Sequence, residues 1–188
     1  MQAVAVFPGQ RDVRLIETPE PRITEPDHVK LRTVEVGVCG TDREICGFHY
    51  GTPPAGQDHL VIGHECLGEV IEVGPAVKSF KKGDLAVLTV RRPCMRPECP
   101  ACNEGRQDFC YTGSFTERGI KEQHGYMTEF VVDRERFLVP VPKHLREVAV
   151  LVEPLTIAEK ALIEVWQVQQ RLPWSCPSAK DKKPGHCH

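Results

Sequence analysis

The chain has 188 residues, with 24 Lys and Arg against 26 Asp and Glu, a net charge of −2 and 40% hydrophobic residues. That is long enough to bury a core, with one domain as the default count, and the slightly acidic balance speaks against a general nucleic-acid binder. No apolar run is long enough for a transmembrane helix, and residues 1–8 lack the basic and apolar regions of a secretory signal, so a cytoplasmic protein away from membranes is expected.

Val4 and Val6, then Val13 and Leu15, predict two short strands across a Pro8-Gly9 turn. Residues 20–26 read as a loop. Val29, Leu31 and Thr33, followed by Val34, Val36 and Val38, predict a long strand whose alternation slips near Thr33-Val34, the mark of a bulge. Cys39-Gly40-Thr41-Asp42 ends that strand, with Asp42 expected to cap a short helix through Ile45. Four Gly and two Pro make residues 47–63 a loop. Leu67, Val70, Ile71 and Val73 predict another strand, and Lys81-Lys82-Gly83-Asp84 is a turn before a strand at 85–90. Residues 91–113 hold four Cys and three Pro with few aliphatic side chains, so this lobe needs a staple rather than a core. Strands are expected again at 126–132 and 137–139. One long helix is predicted from residue 154 to about residue 170. Leu155, Ala158, Leu162, Val165, Trp166 and Gln169 follow its period, and Pro154 suits its first position. The expected architecture is mainly β with few helices. Residues 1–172 form the folded domain and 173–188 a linker or tail.

The nine cysteines are an odd number with no export signal, which disfavours a disulfide framework. Cys94-x4-Cys99-x2-Cys102-x7-Cys110 places four of them within 17 residues. Four thiolates on tight turns suit a tetrahedral zinc ion, and such a closed site is structural because no coordination position stays open. The ion would also supply folding free energy to a lobe without a core. A second candidate set is Cys39, His64, Glu65 and Glu153. One thiolate, one imidazole and one or two carboxylates would leave room for water or substrate on a zinc ion. On the residues alone, a His-Glu pair is far more often an ordinary surface or core pair than a metal site, and Cys39 more often a packing residue. Cys46 and Cys66 read as core or loop residues, and Cys176, His186, Cys187 and His188 as part of a solvated tail.

The order Cys39-Gly40-Thr41-Asp42, Gly63-His64-Glu65 and then four clustered cysteines resembles the zinc-containing medium-chain dehydrogenases. Several stretches are similar to their microbial glucose dehydrogenase branch: Tyr50-Gly51-Thr52-Pro53-Pro54, Thr89-Val90-Arg91-Arg92-Pro93, Glu117-Arg118-Gly119-Ile120, His124-Gly125-Tyr126-Met127 and Glu153-Pro154-Leu155. The resemblance implies a GroES-like, partly open β-barrel as the catalytic domain. It implies that Cys39, His64 and Glu65 hold a catalytic zinc, with Glu153 a fourth ligand or a water-mediated neighbour. Thr41 would sit at the reacting hydroxyl and Glu117 would accept hydrogen bonds from a sugar. Cys94, Cys99, Cys102 and Cys110 would hold a structural zinc. The implied reaction lowers the pKa of a substrate hydroxyl and passes hydride to NAD or NADP. For glucose, this converts the anomeric hydroxyl to the lactone. The implied full enzyme is a homo-oligomer.

The chain departs from the family in three places. The first cysteine spacing is x4 where two residues are usual. The position three beyond Thr41, a relay histidine in alcohol dehydrogenases, is Glu44. No two glycines stand in G-x-G spacing, so no dinucleotide-binding turn is present and no residue of this chain is assigned to the cofactor. A chain ending before the Rossmann domain is expected to be inactive alone and to expose the helix face around Leu162 and Trp166, favouring self-association. Two other readings are another polyol, threonine or alcohol as substrate, and a zinc-stabilised binding module without catalysis.

Overall fold

The computed structural model describes residues 1–171. The elements run β1 (Gln2–Phe7), β2 (Asp12–Glu17), β3 (His28–Gly37), α1 (Gly40–Cys46), β4 (Leu60–Val61) and β5 (Glu65–Val73). They continue β6 (Leu85–Leu88), β7 (Arg91–Arg92), α2 (Pro100–Asn103), β8 (Thr116–Arg118) and β9 (Glu122–Gln123). The last are β10 (Phe130–Arg134), β11 (Leu138–Val141) and α3 (Val152–Gln169). Among the described residues, no helix is long and apolar enough to cross a membrane. Two compact units divide after Glu153: one is Met1–Glu153, and the other begins at Pro154 and contains most of α3. The expected tail at 173–188, with its Cys and His residues, lies outside the described residues.

Three open sheets build the first unit, and none closes into a ring. The largest has the order β10-β3-β5-β6-β11, and every pair in it is antiparallel. The strand slip read at Thr33-Val34 is real: Thr33 pairs Gly68 while Glu35 pairs Leu67, so Val34 is the extra residue. The β1–β2 hairpin turns over residues 8–11, with Phe7 facing Asp12. β4 adds to its other edge inside the segment read as a loop.

The sheet buries apolar side chains on both faces. Cys66, Val70, Leu31, Leu88 and Tyr126 share one cluster, and Leu67, Val87, Val141 and Ala149 another. That double burial is why β5 is apolar without clean alternation. A third cluster of Val6, Leu60, Ile62 and Ile120 receives Ile45, which anchors α1. By contrast, α3 has no buried residue, and Leu162 and Trp166 are exposed.

Several boundaries differ from the expectation. Strand β3 stops at Gly37, and Val38 is exposed. β6 ends at Leu88, and the next residues start the small sheet β7-β8-β9. Residues 126–129 are not strand, because their hydrogen bonds go sideways: Tyr126 donates to Gly63 O and Met127 to Ile62 O (both 2.9 Å). The helix begins at Val152 rather than at residue 154, after a run of 3-10 turns over Lys143–Leu151. Pro154 is therefore its third residue, still within the first turn where no intrahelical N–H is needed.

Candidate metal centres

The first centre grows from the pairing of β3 with β5. Gly37 lies opposite Glu65, so the end of one strand and the start of the next arrive side by side. Cys39 follows two residues after β3, and His64 immediately precedes β5. Cys39 Sγ stands 3.1 Å from His64 Nε2, and one donor atom from each of Cys39, His64 and Glu65 falls within 4.8 Å of the others. Two glycines make this possible. Gly63 has φ +88°, which a side chain would resist. At Gly37, an added Cβ would overlap Glu65 Oε2 and stand 3.1 Å from Glu65 Cβ, so the Glu65 side chain lies across bare backbone.

α1 contributes more than a scaffold. Its N-cap is Cys39 rather than Asp42: Cys39 Sγ accepts from Thr41 N–H at 3.3 Å, and Asp42 Oδ2 accepts from Cys39 N–H at 3.0 Å. Asp42 thus closes a reciprocal cap with Cys39 through Oδ2 and keeps Oδ1 for a second set of contacts. Asp42 is 1% exposed, its Oδ1 accepts from Gly63 N–H at 3.3 Å, and it stands 3.6 Å from His64 Nδ1. That last contact is an ion-pair distance rather than a formed hydrogen bond, and Nδ1 has no hydrogen-bond partner. Burial disfavours the charged imidazole, but the Asp42 carboxylate outweighs it and raises the His64 pKa to about 9. In return, Asp42 is buried, yet His64 and the Cys39 N–H keep its pKa below the ordinary carboxylate value. A carboxylate at Nδ1 leaves Nε2 facing Cys39 and Glu65, the arrangement by which proteins orient a metal-binding imidazole. A metal at Nε2 would compete with the proton there.

Glu153 is not within the tight group of three, but it shares their electrostatic field. Burial raises its pKa; His64 opposes the rise, while Glu65 and Asp42 add to it. Glu117, expected near a sugar, lies on β8 opposite Arg91. Its Oε1 accepts from Arg91 Nε at 3.0 Å and Nη2 at 2.9 Å, so its carboxylate is already held in a two-pronged ion pair.

The second centre is the four-cysteine lobe. Donor atoms of Cys94, Cys99, Cys102 and Cys110 all lie within 4.8 Å of one another, and the sulfurs of Cys99 and Cys110 are 3.9 Å apart. Tetrahedral zinc with bonds of about 2.3 Å would separate its sulfurs by about 3.8 Å. The x4 spacing is absorbed outward: residues 95–98 are all exposed, and Met95 adopts φ +54°. Cys110 bonds Thr112 Oγ1 at 3.3 Å, which lowers its pKa to about 6, whereas burial lifts Cys102 to about 12. Cys66 is buried in the core with its pKa pushed up to about 12, and half-buried Cys46 packs beside Ile45. Among the described residues, neither belongs to a ligand group.

Open β sheets carrying one mixed cluster and one four-thiolate lobe define the catalytic domain type of the zinc-containing medium-chain dehydrogenases. The alcohol dehydrogenase GroES-like domain matches residues 25–143, and the chain belongs to that family. Glucose 1-dehydrogenase of Methanocella arvoryzae is 47% identical over 175 residues, covering 93% of this chain and 48% of that protein. The Thermoproteus tenax glucose 1-dehydrogenase is 44% identical over 165 residues, covering 86% of this chain and 45% of its own length. The Haloferax mediterranei glucose dehydrogenase, solved with NADP, Zn and gluconolactone, superposes with a TM-score of 0.83 at 38% identity, covering 93% of this chain and 48% of that one. The chain thus spans about half the length of the curated relatives it matches.

Asp42 behind His64 and Gly37 beside Glu65 are the parts of this cluster that the linear sequence concealed. Asp42 was legible only as a cap. Gly37 carried no signal beyond a glycine near a strand end.

Proposed function

We propose that this chain is the catalytic domain of a zinc-dependent NAD(P) dehydrogenase that oxidises the anomeric hydroxyl of glucose to the lactone. The supporting observation is the cluster in which Cys39, His64 and Glu65 converge while buried Asp42 stands behind the imidazole. Its donor set suits zinc: one soft sulfur, one borderline nitrogen and one hard oxygen, with a further carboxylate, Glu153, in the same field. Zinc, when bound, supplies Lewis acidity toward a substrate hydroxyl. Cys39, His64 and Glu65 would hold the ion, with Glu153 a fourth ligand or a water-mediated neighbour. Thr41, in the first turn of α1, would sit at the reacting hydroxyl and relay its proton outward, giving up its own hydroxyl proton to solvent as it accepts the substrate's. Glu117, steadied by Arg91, accepts hydrogen bonds from the sugar. Cys94, Cys99, Cys102 and Cys110 hold a second, structural zinc. Residues 1–172 act as this one domain, and the full enzyme is a cytoplasmic homo-oligomer whose nicotinamide cofactor is bound by residues outside this chain. The 188 residues alone do not turn over.

Zinc measured per chain in protein purified without chelator tests this reading. The expected content is two, falling to one in Cys39→Ser with the four-cysteine site retained. A well-folded wild type whose zinc content is unchanged by Cys39→Ser would refute the catalytic centre. Reduction of NADP by glucose with the 188-residue chain would refute its dependence on a second domain.

A further inference from the structure

A cavity of about 320 Å³ lies beside the four-cysteine lobe and shares none of the metal-ligand candidates. Its wall contains Arg92, Arg118, Arg134, Arg136, His28 and one acid, Asp133. The charges do not balance. Asp133 Oδ2 accepts from both Arg92 Nη2 (2.7 Å) and Arg118 Nη2 (2.8 Å), and its Oδ1 accepts from the backbone N–H of Arg134 (2.9 Å). One carboxylate therefore serves two guanidinium groups. The other partners of Arg92 and Arg118 are neutral: Thr89, Tyr126 OH, and the carbonyls of His124 and Val132. Neutral acceptors satisfy N–H groups but cancel no charge.

Arg134 is compensated by Asp27 outside the cavity, at 2.9 and 3.0 Å. Arg136, exposed, lies over the Phe137 ring, a cation–π contact that brings no countercharge. The neighbouring Glu135 keeps its charge but is not part of the cavity wall, and its carboxylate accepts from the backbone N–H groups of Lys78 and Ser79. Four arginines are thus offset by two carboxylates. A cationic excess around a cavity favours an anion, and guanidinium forks suit tetrahedral or planar oxyanions.

We propose that this cavity binds an oxyanion: a phosphate group, free or carried on a small ester. The volume exceeds what one ion needs and lies at the low end of small-ligand pockets. The site lies on the face formed by β8, β10 and the approach to the cysteine lobe, so its occupancy braces β7, β8 and β10 through Arg92, Arg118 and Asp133.

The test is titration of the 188-residue chain with inorganic phosphate, followed by phosphorus NMR line broadening against sodium chloride at matched ionic strength. A hexose 6-phosphate titration runs in parallel. Saturable binding is expected, weakened about tenfold in Arg136→Gln and in Arg118→Lys. Arg136→Gln is the fold-safe variant because that side chain is exposed. Its thermal transition should match wild type in the absence of phosphate. An ester that displaces phosphate and binds more tightly identifies an esterified ligand, whereas equal affinity identifies the free ion. Binding that never saturates, or that survives unchanged in Arg136→Gln, overturns the proposal.

Discussion

Replacing Gly37 by alanine should damage the mixed metal centre while leaving the domain folded. The new Cβ would overlap Glu65 Oε2 and would stand 3.1 Å from Glu65 Cβ and 3.2 Å from Cδ. The carboxylate end can swing away, but Cβ is fixed by the β5 backbone opposite residue 37. The cost in stability is therefore modest. Overpacking of this kind costs about 1–3 kcal/mol, and Gly37 is outside the left-handed region, so alanine returns about 0.4–1 kcal/mol by restricting the unfolded chain. The net loss is about 0–2.5 kcal/mol by these figures. The effect on metal is larger in kind. A swung carboxylate leaves Cys39 and His64 without their third partner, and losing even an indirect support costs about 10–100-fold in affinity. Cobalt substitution separates the two centres, because a four-thiolate site and a mixed site absorb differently. The expected result is loss of the mixed-site band with the thiolate band retained, and a denaturation midpoint lowered by no more than that net loss. An unaltered mixed-site spectrum in Gly37→Ala would show that Glu65 does not need bare backbone at 37, and would refute the reasoning.

Asp42→Asn should weaken zinc at the mixed centre by about 10–100-fold while sparing the four-cysteine site, as read by competition with a chromogenic chelator; equal affinity in the variant would remove Asp42 from the centre. Asp133 gives a pH dependence of known sign. Burial pushes its pKa up, but Arg118 and Arg92 more than offset this, so the folded pKa lies below the unfolded value. Its stabilisation is therefore complete above about pH 4 and fades as pH falls through the lower folded pKa. Removing one partner from such a buried set costs about 3–5 kcal/mol, so urea denaturation of Asp133→Asn should show that loss at pH 6. The gap to wild type should narrow below pH 4, and a gap constant from pH 6 to pH 2.5 would contradict the sign.

Local patterns revealed most of the elements, while long-range contacts escaped them. The valine alternation and its slip at Thr33-Val34 were readable because a sheet residue reports its own face. The four cysteines were readable because their partners lie within 17 residues. β4, β7, β8 and β9 were not, since strands of two or three residues exist only through partners elsewhere in the chain. Cys39 and His64, 25 residues apart, carried meaning only through the family resemblance, because nothing local states that β3 and β5 are neighbours. Asp42 behind His64, and Asp133 between two arginines, belong to the same class of silent pairings.

The glycine crossing beside His64 bears on how the two centres communicate. Cβ atoms at Gly119 and Gly125 would both collide with Gly63 O, so three stretches of bare backbone outside the strands meet at the residue before a ligand. Residues 63 and 119 are 56 positions apart, and the whole cysteine lobe lies in the loop between them. An ion clamping residues 94–110 would shorten that loop to about 40 effective residues, easing its closure by about 0.3 kcal/mol. That is less than thermal energy. By this route the lobe can gain or lose its ion with little effect on the placing of His64, so loading of the two centres need follow no fixed order.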